Sequence, residues 1–238
     1  IGDCKGNGIC ANNGGRTLNA ASTDNKITGN IINNTLNDGI YIGTGSTGTV
    51  ISKNDVGVSN KSGIVVLDSK KCQVISNKVS DCRLDGIYLK NIGDTDIKSN
   101  NVTTVKRYGV QVISSQLKSL YGNTITGNGN CGLRIVQSRI SGSQQNRLRN
   151  NGSSYAVYSR NSTGSVLVRL PASARITRNT ARITGTAAGG RRLTVYVVTK
   201  SGNKRIGQGN VTSRGRYSVS IPKQKKGTVL LLLLTDKY

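Results

Sequence analysis

The chain has 238 residues and carries 34 Lys and Arg against 10 acidic residues, all of them Asp, for a formal net charge of +24. Such an excess favours polyanionic partners: acidic polysaccharide, anionic cell wall, sulfated or sialylated glycans, or nucleic acid. The five cysteines (Cys4, Cys10, Cys72, Cys82, Cys131) include no C-x-x-C pair, which excludes zinc-ribbon and thioredoxin-like chemistry, and the one long apolar run, Val229 to Leu234, is far too short to cross a bilayer.

The apolar residues are mostly Ile, Val and Leu, set among abundant Gly, Asn, Ser and Thr with 2 Pro, which predicts many short strands joined by tight turns. Ile1 already sits inside a repeat, so the natural N-terminus is expected upstream. Asp3-Cys4-Lys5-Gly6-Asn7-Gly8-Ile9 matches Asp81-Cys82-Arg83-Leu84-Asp85-Gly86-Ile87 position for position. The step from Gly8 to Gly39 is 31 residues, where later steps are 23 or 24. An insertion of about eight residues therefore falls within Ala11 to Asn25, and in a stacked-repeat fold it leaves as a loop on one face.

From Ile27 to about Arg160 two signals recur at that interval. One is N-x-V-like: Asn30-Ile31-Ile32, Asn54-Asp55-Val56, Asn77-Lys78-Val79, Asn100-Asn101-Val102, Asn123-Thr124-Ile125 and Asn146-Arg147-Leu148. The other is G-I-x-L-like: Gly39-Ile40-Tyr41-Ile42, Gly63-Ile64-Val65-Val66, Gly86-Ile87-Tyr88-Leu89, Gly109-Val110-Gln111-Val112 and Gly132-Leu133-Arg134-Ile135. A coil of this length cannot bury a core alone, so the coils must stack, with parallel strands about 4.8 Å apart. Alternation points Ile97, Val102, Val110 and Val112 inward. The Asn column suits a sharp left-handed bend and can bond to itself from coil to coil. The Gly column suits a positive φ or a close approach where a turn enters a strand. The cysteines read as thiols stacked inside the coil, with one bridge left open.

These residues resemble a right-handed parallel β-helix of the pectin-lyase-like superfamily, over roughly residues 1 to 163. The resemblance implies three sheets per coil, with the G-I-x-L step as first-sheet strand and a stacked Asn ladder between the second and third. The last repeat is weaker: Tyr155-Ala156-Val157-Tyr158 replaces the Gly step, and Ser143 falls where Leu120 and Ile97 stood. A boundary is expected after Gly164, giving a solenoid over 1–164 and a second unit over 165–238. The second unit carries 15 basic residues and one Asp. Its Ile183-Thr184-Gly185-Thr186-Ala187, Leu193-Thr194-Val195-Tyr196-Val197, Gly215-Arg216-Tyr217-Ser218-Val219 and Ile221-Pro222 resemble the bacterial immunoglobulin-like modules of Gram-positive surface proteins. That implies a C-terminal β-sandwich, here expected to be truncated. The run Leu230 to Leu234 departs from the alternation of those modules and calls for burial on both faces or for a further pairing partner. The fold class expected is all-β: a right-handed parallel β-helix plus an immunoglobulin-like β-sandwich.

Hydrolytic relatives of this superfamily use paired carboxylates and N-T-D, D-D, G-H-G and R-I-K signatures, none of which occurs here: there is no His, no Asp-Asp, and Arg134-Ile135 is followed by Val136. No catalytic residue is therefore assigned, and the chain leans away from being an enzyme. Asp81, Asp85, Asp94 and Asp96 could supply hard oxygen ligands to Ca²⁺, but Asp at such turns more commonly caps backbone N–H groups, so no metal site is assigned and Ca²⁺ stays an option only. The outward row of the first sheet is the better candidate. Tyr41, Val65, Tyr88, Gln111 and Arg134 follow each Gly by two residues, Tyr158 holds the same place in the looser last coil, and Lys90 and Arg160 lie two positions further on. Tyr rings stack on sugar C–H faces and Arg forms bidentate bonds to a uronate or sulfate. The candidate glycan contacts are Tyr41, Tyr88, Lys90, Gln111, Arg134, Tyr158 and Arg160. No specific nucleic-acid module is present.

The sequence thus points to an extracellular, cell-wall-associated adhesin or glycan-binding protein. Its expected partners are acidic polysaccharide or host glycans on the first-sheet face and anionic wall polymer elsewhere. The alternatives are a uronate-polymer lyase using Arg134 or Lys90 as base with Ca²⁺ on Asp81 to Asp96, and a structural spacer.

Overall fold

The computed structural model describes residues 5–11, 22–144, 146–152, 157–160, 162–164, 166–169, 182–186, 191–199, 202–214, 216–223 and 230–236. The Asp3-Cys4 match and most of the insertion within 11–25 lie outside the described residues. Among those described, all regular structure is β.

The first sheet stacks Ile9–Ala11, Ile40–Ile42, Ile64–Leu67, Ile87–Lys90, Val110–Ile113, Leu133–Val136 and Val157–Arg160, all parallel. The second runs from Lys26–Thr28 through Val50–Ser52, Gln73–Ile75, Thr95–Lys98, Gln116–Tyr121 and Arg139–Ile140 to Thr163–Gly164. The third begins at Ile31–Ile32 and climbs through Asp55–Val56, Lys78–Ser80, Asn101–Thr103, Thr124–Thr126 and Asn146–Arg149 to Val166–Arg169. Register aligns like with like. Ile40, Ile64, Ile87, Val110 and Leu133 form one internal stack, and Ile27, Ile51, Val74, Ile97 and Leu120 another. Ile32, Val56, Val79, Val102, Ile125 and Leu148 form a third stack, also buried. Full burial of each such side chain contributes about 1.5–3 kcal/mol, which is why stacking rather than any single coil supplies the core.

The Asn column is a continuous ladder. The side-chain Nδ2 of Asn30, Asn54, Asn77, Asn100 and Asn123 each donates to the next coil's Asn Oδ1 at 2.8–3.0 Å. The backbone N–H of each donates to the same oxygen at 3.0 Å. From Asn54 onward the remaining amide proton goes to a second-sheet carbonyl, as from Asn100 to Val74 O at 2.8 Å. The buried amide is therefore satisfied on every side, as burial requires. The left-handed bend is not at the Asn itself. It falls one residue earlier, at Gly29, Lys53, Ser76, Ser99 and Gly122, with φ between 54° and 70°. The Asn locks a bend that its predecessor makes.

The Gly column resolves to close approach. None of Gly39, Gly63, Gly86, Gly109 or Gly132 has a positive φ, but a Cβ on Gly86 would collide with Val102 Cγ1 and lie 2.6 Å from Gly109 O. The four described thiols are unbridged: Cys72, Cys82 and Cys131 are buried and Cys10 is exposed. Burial pushes the Cys82 thiol up to about 12.

Beyond the solenoid, Arg182–Thr186 pairs antiparallel with Arg216–Ser220. Arg191–Thr199 pairs with Gly202–Asn210, a polar strand that sequence alternation did not reveal, and with Leu230–Asp236. Leu230–Asp236 pairs on its other edge with Val166–Arg169. The apolar run thus has a strand on both sides, and the third sheet continues from the solenoid into the C-terminal module as ten strands. The module's own core gathers Ile183, Leu193, Val195, Val211, Val219 and Ile221.

Candidate glycan-contact site on the first sheet

Parallel register sets Cys10, Tyr41, Val65, Tyr88, Gln111, Arg134 and Tyr158 in one row across the first sheet, one coil spacing of about 4.8 Å apart. From Ile40–Ile42 to Leu133–Val136 the positions on either side of the row fill the core, so the row faces outward there. It is not a uniform platform. Tyr41, Tyr88 and Arg134 are half-buried, whereas Val65 is 4% exposed and Gln111 only 5%. Gln111, expected as an exposed contact, is thus a buried amide whose Oε1 finds no partner. Lys90 is exposed and stands on the neighbouring row between Leu67 and Ile113. The backbones of Tyr158 and Arg160 pair with Arg134 and Val136; their side chains lie outside the described residues.

What gathers chemistry around Arg134 is the turn that precedes the strand. The column before the glycines reads Asp38, Ser62, Asp85, Tyr108 and Cys131. Its carboxylates cap the next coil: the Ser62 N–H donates to Asp38 Oδ1 at 2.8 Å, and the Tyr108 N–H to Asp85 Oδ1 at 3.2 Å. Arg107 Nε stands 3.8 Å from that same Asp85 oxygen. The guanidinium carbons of Arg107 and Arg134 each lie 5.3 Å from the centre of the Tyr108 ring, within cation–π range. Tyr88 shares their field. Burial pushes its phenol pKa up, Asp85 adds to that, and Arg134 and Arg107 oppose it. Burial likewise raises the Asp85 carboxyl, against the Tyr108 N–H, Arg107 and Arg134. Two cations therefore meet at one aromatic ring, with a single buried carboxylate behind them.

Sequence reasoning placed Tyr88 and Arg134 here but missed Arg107 and Tyr108, which sit in the turn outside the strand row. The available signal was a Tyr standing in a column whose other members before a Gly are Asn7, Asp38, Ser62, Asp85 and Cys131.

The acidic residues do not converge. Asp81 accepts from Thr104 Oγ1 at 2.9 Å, and Asp96 accepts from Ser119 Oγ and pairs with Lys98 at 3.1 Å. Among the described residues no group of three or more His, Cys, Asp or Glu is placed to hold a metal ion. Asp81 and Asp85 lie in the turn before the first-sheet strand and Asp96 in the second-sheet strand Thr95–Lys98, and Asp81, Asp85 and Asp96 each serve a separate partner. The arrangement around Tyr108 can bind an anion and stack an apolar face.

Comparison with known proteins agrees with this architecture. The right-handed β-helix region matches residues 1–152 and again 44–203, and the bacterial Ig domain matches residues 169–238. No curated protein matches the sequence. Among solved structures, the periplasmic alginate epimerase AlgG T265N T268M double mutant aligns with a TM-score of 0.57 at 23% identity, over 64% of this chain and 35% of that one. The AlgG T265N mutant aligns with a TM-score of 0.50 at 20% identity, over 66% and 46%. The chain thus spans less than half the length of these structures, and at such identities the likeness is one of fold. Among the described residues no helix is long and apolar enough to cross a membrane.

Proposed function

The chain belongs to the right-handed β-helix family and carries a bacterial immunoglobulin-like domain, and on that footing we propose that it is a cell-surface glycan-binding protein of adhesin type. Its ligand is an acidic polysaccharide or host glycan, bound on the outward face of the first sheet. The observation that carries this is the convergence of Arg107 and Arg134 on Tyr108 beside Tyr88. A guanidinium pair takes a carboxylate or sulfate bidentately, and the aromatic rings take the C–H face of the sugar that bears it. Alginate, the polymer named for the structurally similar epimerases, is itself acidic, which accords with this class of ligand. On this reading residues 1–164 present the glycan face and residues 165–238 join it to the bacterial surface. The 15 basic residues of that segment hold it against anionic wall polymer.

The test is incubation with polygalacturonate and other acidic glycans, with and without Ca²⁺. Retention without turnover is expected. It should weaken with salt and fall about tenfold or more on Arg134→Ala or Tyr88→Ala, the scale of one lost charge-assisted or stacking contact. Release of product absorbing as an unsaturated uronide would make the protein a lyase instead. Failure to retain any glycan would leave a structural spacer.

A further inference from the structure

A groove of about 500 Å³ follows the corner between the first and second sheets, after the first-sheet strands rather than before them, so it is separate from the Tyr108 cluster. Two columns border it, and both are interrupted at the same coils. Along the outer corner, Thr44 Oγ1 donates to Asp68 at 3.3 Å, Asn91 Nδ2 donates to Asp68 at 2.9 Å, and Ser114 Oγ donates to Gln137 at 3.4 Å. Among the described residues no bond joins Asn91 to Ser114, so the chain of side-chain contacts breaks where the groove opens.

The second column is Lys70, Gly93, Gln116 and Arg139. Gly93 has no positive φ, and a Cβ added to it would meet Lys70 Cγ at 3.4 Å, an ordinary contact. Unlike Gly86, nothing in the backbone requires a glycine there. Its effect is to leave the floor open between Lys70 and Gln116. No carboxylate and no aromatic ring is found among the ten residues lining the groove, and Lys70 and Arg139, both exposed, stand at its two ends. They are three coils apart, about 14 Å along the axis. A ligand that fits presents anionic groups at both ends and hydroxyls between them for the amides of Asn91, Gln116 and Gln137. The lack of a ring to stack on disfavours single-stranded nucleic acid.

We propose that this corner is a second, independent subsite for an acidic oligosaccharide lying parallel to the solenoid axis. The full chain is titrated calorimetrically with a uronate tetrasaccharide, a sulfated glycosaminoglycan tetrasaccharide and a single-stranded oligonucleotide. Two glycan sites per chain are expected, one of which survives Arg134→Ala. In that background Lys70→Ala with Arg139→Ala should weaken the remaining site at least tenfold. Gly93→Gln, which the free space tolerates, should abolish it while leaving the thermal melt unchanged. The uronate and sulfated arms decide which anion the corner takes. If Arg134→Ala removes all binding, if Gly93→Gln leaves the stoichiometry intact, or if the oligonucleotide alone binds, the second subsite is overturned. If instead Arg134→Ala changes nothing and Gly93→Gln removes all binding, the first-sheet site fails and the corner stands.

Discussion

Between Ile1 and Asp96 the chain carries 10 Lys and Arg against 9 Asp, whereas between Ile97 and Thr235 it carries 23 Lys and Arg and no carboxylate. The backbone plan does not change at that border. The Asn ladder passes from Asn77 to Asn100 to Asn123 with the same bonds on either side, and the internal aliphatic stacks cross it in register. The shift in charge is therefore not demanded by the fold. The ion pairs follow it. Lys78 meets Asp55 at 2.8 Å within the mixed half, while Arg107 of the basic half reaches back to Asp85. Past Asp96 the next carboxylate side chain in the sequence is Asp236, and the Tyr108 cluster sits at that transition.

This comparison can be broken most directly at the scaffold. Gly86→Ala and Gly93→Ala lie in one coil, either side of Ile87–Lys90, but are opposite in demand. The first should lose about 3 kcal/mol or more of unfolding free energy, because a backbone oxygen and a core methyl occupy the space a Cβ needs. The second should be close to neutral, and urea titration reads both. Next in size, Asn54→Ala and Asn123→Ala should each cost about 2 kcal/mol by stranding the buried amide and carbonyl groups of their neighbours. Equal losses on the two sides of Asp96 would show a scaffold indifferent to charge, and unequal ones would tie the ladder to it.

A smaller effect is expected at Val58, a β-branched residue held at φ 43° in the mixed half and 50% exposed. Relieving such a backbone with Val58→Gly should raise stability by about 1 kcal/mol, read as a higher melting temperature. Its basic-half counterparts are Thr104 at φ 55°, where Thr104→Gly should give a similar gain, Asn150 at φ 49°, and Gly127, already a glycine at φ 67°, where no such gain is available.

The smallest effect is one of pH. Burial raises the Asp85 carboxyl above its ordinary 3.8, opposed by the Tyr108 N–H, Arg107 and Arg134. Its contribution to stability is full below 3.8 and is lost as pH rises through the higher folded value. Asp85→Asn should therefore remove the decline in stability across that window, from 3.8 up to the higher folded value. It should also tighten acidic-glycan binding by leaving Arg107 and Arg134 unopposed. Loss of stability at pH 7 with that substitution would make the carboxylate a structural support instead.

Much of the fold was legible because the residues that repeat are those the backbone and core demand. A Gly at the entry to each first-sheet strand, an Asn at each bend and alternating aliphatics recur at fixed spacing, and one coil explains the next. The left-handed residue before the Asn was not legible: Gly29, Lys53, Ser76, Ser99 and Gly122 share a conformation but no chemistry. The strand Gly202–Asn210 was hidden because its three glycines and three amides mask the alternation. Periodicity gave Tyr88 and Arg134 their outward direction, but how far Arg107 reaches from its turn onto the Tyr108 ring depends on side-chain rotamers, which no spacing encodes. Gln111 shows the converse. Its strand parity is outward, yet it is buried with an unpartnered oxygen, so direction from the core did not imply access to water.

The continuity of the third sheet into the C-terminal module bears on how the molecule folds. Within the solenoid the strands pair with partners about 23 residues away, or 31 at the first pair, a short loop to close, so coils can nucleate locally and propagate one upon the next. At the junction, Val166 pairs with Leu234 and Arg169 with Leu231, separations of 68 and 62 residues. The closing strand cannot be seated until the whole module has been made, which places this pairing late and slow in the order of events. Until then the edge strand Val166–Arg169 offers unpaired backbone groups to any other chain. A nascent molecule is thus most exposed to misassembly at the join between its two parts, after the solenoid is already formed.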